Sequence, residues 1–282
     1  MATPTPPAPS PTTPAPVPAP KPASGPSTAG KPATPAPPPP RRGSVADQGV
    51  VRHETVHAER WTVAGTTKVV SEADAASIDA RGTVAIGGAL TADSCAVTGS
   101  LDVGGGIEVR TTLHVDGHLR GRSTVHTGAL EVKGTARCGG AVRADQELTV
   151  RGALIAPSVR ATALHLHGAA DVPGDLEAST VEARFEEDSR IGRIVGSSIR
   201  LRGRVPTLVD KAFFRHATVT IERIEGQKVE LEAVHVALVH AEEVVLGRDA
   251  SVVEVEGRIV RRHPTSHLGP ESKSPPPYGL RR

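Results

Sequence analysis

The chain is nearly devoid of aromatic side chains: one Trp, one Tyr and three Phe in 282 residues. A globular domain of this size normally fills its interior with several such rings, so a conventional thick core is not expected. There are two cysteines, Cys95 and Cys138. That is too few for a disulfide framework or a thiolate metal centre. No apolar run reaches the ~20 residues of a membrane span. The first residues carry no basic segment followed by an apolar stretch, so no secretory leader is expected. The body also lacks a sustained 3.6-residue apolar period, which argues against helices.

What is present is a repeat. The pattern is apolar, any, apolar or Ala, any, then usually Gly. Its clearest copies begin at Leu113, Leu130, Leu148 and Leu164, and the same frame fits Trp61, Ile78 and Cys95. It continues, worn, at Val181, Ile199, Val219, Val236 and Val253. Twelve copies follow one another at steps of 16 to 18 residues, with one step of 20. A second apolar position follows each first by six residues (Val84, Leu101, Leu119), and a third comes about six later (Leu90, Ile107, Val125). Alternating residues in three short strands per repeat predict an all-β solenoid. It is a parallel β-helix of about twelve coils around a narrow aliphatic core. The drift in coil length and the placing of Gly favour the right-handed form over the strict six-residue rhythm of the left-handed one.

The ends differ in composition. Residues 1–44 hold 17 of the 25 prolines and no acidic residue. Residues 258–282 form a second Pro-rich stretch. Both are expected to be disordered tails, because they cannot bury enough apolar surface to offset ordering entropy. The tails carry net charges of +4 and +5, which leaves −7 for residues 45–257 out of a total of +2. Basic tails on an acidic rod suit anionic or protein partners, or neighbouring rods. Nucleic acid is not expected, membrane binding has no visible vehicle, and the cysteine usage fits a cytoplasmic location.

Positions that could carry chemistry do not form a constellation. His114 and His165 share a slot three coils apart, too far for one metal ion. Gly104-Gly105-Gly106 leads into a strand rather than a helix, so it does not make a phosphate cradle. No catalytic residue, metal site or cofactor is expected. The sites anticipated are contacts. Val252, Val253 and Val255 in the last regular coil are expected to form an uncapped, polymerising sheet edge, with Trp61 marking the other end. Phe213 and Phe214, in the longest step, form a candidate lateral patch.

On these coils and Pro-rich ends, residues 61–257 resemble the bactofilins. That resemblance implies a right-handed β-helix and a non-enzymatic cytoskeletal protein that joins end to end into nucleotide-independent filaments. Family tails are linked to membrane or partner attachment. The alternative is a left-handed β-helix acyltransferase-like enzyme or an inactive relative. That reading expects a strict hexad and a His at a subunit groove.

Overall fold

In an extended chain alternate side chains share a face, so stacking the repeats in register buries one face of every strand. The computed structural model is built in this way. It describes residues 41, 43–204 and 218–269; Phe213, Phe214 and most of both Pro-rich ends lie outside these. Among the described residues the regular elements are strands, and every strand pairing is parallel. They wind a β-solenoid of about twelve turns. Because the first turn lacks one face, they are numbered here as coils 1 to 13.

Coil 3, Ala73–Ile86, shows the plan. Ala73 and Ala75 point inward on the first face, Ile78 and Ala80 on the second, Val84 and Ile86 on the third. Each coil was expected to contain three separate strands. Here it is one 14-residue strand bent at two corners and broken by a turn at the third. Pairing survives the second corner because Gly sits there. Gly82 and Gly99 stand at φ +132 and +128, and a Cβ on Gly99 would collide with the carbonyl oxygen of Gly82 one coil below. The column runs Gly65, Gly82, Gly99, Gly117, Gly134, Gly152, Gly168.

The column ends at Gly168. The amide of Glu186 donates to the Gly168 carbonyl at 2.9 Å, which puts the fully buried Phe185 in the next position. In coil 10 the chain leaves this corner after Arg204 and is described again from Thr218. Beyond it the coils are shorter. Ile221 pairs with Val236 and Val229 with Val244, steps of 15 residues; Val236 pairs with Val252, a step of 16. The corners are now made by Ala233 and Asp249, both left-handed at φ +52 and +53.

The constant step of about 17 through Val219, Val236 and Val253 therefore does not hold, and the column of Ile199 continues at Val229, Val244 and Ile259. A one-residue slip exchanges inside and outside. So Val252 is buried, while Val253, expected to face the core, is 48% exposed. The C-terminal boundary moves as well. The strand Ser251–Arg262 runs past residue 257, and His267–Leu268 pairs with Ser251 and Val252. Arg258, Arg261 and Arg262, counted with the tail from sequence, belong to coil 13.

Candidate functional site

The two ends of the solenoid are finished differently. At the N-terminal end, coil 1 is the strand Ser44–His53, which lies over coil 2 with Val45 above Trp61 and Asp47 above Val63. Asp47 thus occupies a core slot, where an unpaired carboxylate would be costly. It is satisfied. Trp61 Nε1–H donates to Asp47 Oδ2 at 3.0 Å, Thr67 Oγ1–H donates at 3.2 Å, and His53 Nε2 lies 2.9 Å from Oδ1. Trp61, read from sequence as the marker of this end, is fully buried beneath this polar cluster and forms no terminal surface. Asp47 was missed because an acidic residue inside an apolar slot looks like a break in the pattern.

Arg41 also belongs to this end rather than to a free tail. Its guanidinium donates to Asp74 Oδ1 at 2.7 and 3.0 Å and to Asp93 Oδ2 at 2.9 Å, spanning coils 3 and 4 on the flank. These hydrogen bonds, Asp74 first, raise the Arg41 pKa above its ordinary value, so the clamp stays charged.

At the C-terminal end, no strand among the described residues lies beyond coil 13. Val255 and Ile259 point toward the core and are half-buried. Leu268 covers Val252 and is itself exposed, and Val253 and Val260 project outward. Arg262 pairs with Leu246, and its guanidinium donates to the Ser266 carbonyl at 3.3 Å, partly closing one face. Of the four expected end residues, Val252 and Val255 face the core as expected, Val253 faces outward, and Trp61 keeps its core column but lies one coil in from the tip. Phe213 and Phe214 lie outside the described residues.

Between the ends the surface carries charge ladders that join one coil to the next. Arg193 Nη2 donates to Glu225 at 2.6 Å and Arg200 Nε to Glu230 at 2.8 Å. Those hydrogen bonds hold both carboxyls below the usual glutamate range. Histidines follow the same habit: His114 sits 3.1 Å from Glu131, His165 3.5 Å from Glu182, and His167 3.1 Å from Glu186. Each imidazole is matched to a carboxylate in the following coil. Among the described residues no three His, Cys, Asp or Glu converge as a metal-ion set would.

The cysteines are free and buried in the core columns. Burial pushes the Cys95 thiol up to about 12 and Cys138 up to about 11, which removes the thiolate needed for nucleophilic chemistry. The Gly104–Gly106 turn stacks on Gly87 and Gly88, and its amides serve the ladder: Gly104 donates to Ile86 and Gly105 to Gly88, both at 2.8 Å. Those two donors are not available for a phosphate. No helix among the described residues is long and apolar enough to cross a membrane.

No curated protein and no solved structure matches the chain. A family model does, over residues 95–192, the run from the second face of coil 4 through the third face of coil 9. The resemblance read from the repeat is borne out there: this stretch matches the family model of the bactofilins, described as polymer-forming cytoskeletal.

Proposed function

We propose that the protein polymerises end to end into filaments without nucleotide, that it acts as a cytoplasmic scaffold rather than an enzyme, and that its basic tails attach partners. The observation that carries this reading is the placing of exposed apolar side chains. Among the described residues the large exposed hydrophobics are Val50 in coil 1 and Val253, Val260 and Leu268 in coil 13. All four lie at the two tips, and the described residues of the flanks between them carry none. A parallel ladder also ends in unpaired N–H and C=O groups, and a second rod can pair with them. Completing the burial of Val255, Ile259 and Leu268 in a joint would contribute on the order of 1 kcal/mol for each, because all three are already partly covered and a fully exposed side chain gains about 1.5–3 kcal/mol.

The family supports self-association, and its structural character supports a non-enzymatic role. No finding favours the acyltransferase-like alternative. The test is electron microscopy and sedimentation of the purified full chain at moderate salt, with and without nucleotide. Filaments in both samples are expected. A monodisperse monomer or a closed trimer at every concentration tried would sink the reading.

A further inference from the structure

One stretch of the flank departs from the charge of the whole. Residues 45–257 carry a net charge of −7. A shallow cleft crosses the outer side of the second face between coils 7 and 10, between two columns of outward side chains. One wall is Thr149, His165, Glu182 and Arg200; the other is Arg151, His167, Arg184 and Arg202. With Glu147 at its edge, the ionised groups lining it are four Arg and two Glu, a net of +2.

The acidic groups here are already engaged. Glu182 is bound by Arg200 at 3.2 Å and faces His165 at 3.5 Å, and Glu147 accepts a hydrogen bond from Thr149 at 2.7 Å. Arg202 leans to Glu232 at 3.7 Å. Arg151 and Arg184 are different. Both are exposed, and neither has an ion-pair partner among the described residues. The cationic wall also borders the glycine corner. There Gly152 and Gly168 are followed by Ala153 and Ala169, so the ground beside it is low and free of bulky side chains.

We propose that this cleft binds an extended acidic peptide segment of a partner protein. Arg151 and Arg184 lie two rungs apart, about 9.6 Å along the axis at ~4.8 Å per strand. In a polyproline II chain, residues three apart return to the same side after about 9.3 Å. Carboxylates at every third position of such a segment therefore meet the two free guanidiniums in turn, each able to take a bidentate pair. A nucleic-acid strand fits less well. The described lining has no Phe, Tyr or Trp for base stacking, its two imidazoles face Glu182 and Glu186, and Glu147 and Glu182 oppose a continuous phosphate backbone.

The probe is a fluorescein-labelled peptide of four Glu-Pro-Pro repeats, read by anisotropy against the folded full chain. A Gln-Pro-Pro peptide and oligothymidylate of equal length serve as comparisons. Arg151→Gln/Arg184→Gln is expected to weaken binding of the acidic peptide at least tenfold. Arg160→Gln/Arg190→Gln removes equal charge from other faces and is expected to leave binding within twofold. Because neither free arginine supports a contact in the fold, the β-signal stays unchanged. The proposal is overturned if the first double variant binds like the parent, which would place the binding in the basic tails. It is equally overturned if the parent binds the Gln peptide as well as the Glu peptide, binds neither, or prefers oligothymidylate. The readout does not depend on filament formation.

Discussion

At Gly99 two constraints coincide. The backbone is left-handed at φ +128, and the space a Cβ would take is filled by the Gly82 carbonyl. Gly106, half a coil away, has neither: its nearest neighbour would be Thr124 Oγ1 at 3.8 Å, an ordinary contact. Gly99→Ala is therefore expected to cost about 2–4 kcal/mol from backbone strain and overpacking. Gly106→Ala should cost nothing or stabilise slightly by restricting the unfolded chain. Urea unfolding followed by circular dichroism checks both, and equal midpoints for the two variants would refute the glycine column as the source of the corner. Residues of this sort were legible, because Gly recurs at a fixed distance from Leu-x-Val. Asp47 was not. Its meaning depends on Trp61, Thr67 and His53, which only the stacking of coil 1 on coil 2 brings to it.

Ladders of charge are features of whole elements, since each pair ties one strand to the next. Glu225 and Glu230 have carboxyls held below their ordinary value by the Arg193 and Arg200 hydrogen bonds. A folded-state pKa lower than the unfolded one adds stability above the unfolded value, about 4.3 for Glu, and that stability is lost as pH falls through the folded value. The unfolding midpoint should therefore drop from neutral pH to pH ~3 by linkage. Glu230→Gln should lower the midpoint at neutral pH and flatten the drop. A parent and variant that differ equally at both pH values would show that the pair contributes nothing. At this scale the sequence was readable as far as the glycine corner lasted. Coils 2 to 8 follow the apolar-x-apolar-x-Gly frame. From Phe185 on, the corner changes chemistry, Ala233 and Asp249 turn the chain in fewer residues, and counting by seventeen drifts off the core column. From residue 258 on, the arginines and Pro264 of coil 13 mimic a tail, yet its amides join the ladder at His263, His267 and Gly269.

For the molecule as a whole, position along the axis decides what a substitution does. Val150 is fully buried in coil 7, with strands on both sides. Val150→Arg forces a charge into the core, at a cost of several kcal/mol, and is expected to abolish the cooperative β-signal. Val255 faces the same core but is only half-buried in the last coil. Val255→Arg can turn its charge into water in a single rod and cannot do so in a joint, so the fold should persist while pelleting filaments disappear. Normal filaments from the Val255→Arg protein would move the joint to the other tip. One further consequence lies in the register of the middle coils. Each coil touches only its neighbours, and His118 stands directly over Thr135's position in the next turn. Excision of residues 118–134 would join Gly117 to Thr135 and leave every column in phase, shortening the rod by one rung of about 4.8 Å. Bulges and corners absorb a residue or two, as the steps of 15 to 18 show, but removing half a turn would rotate the remainder out of line. The gene can thus change the reach of this rod only in whole steps, and its length behaves as a count rather than a continuous measure.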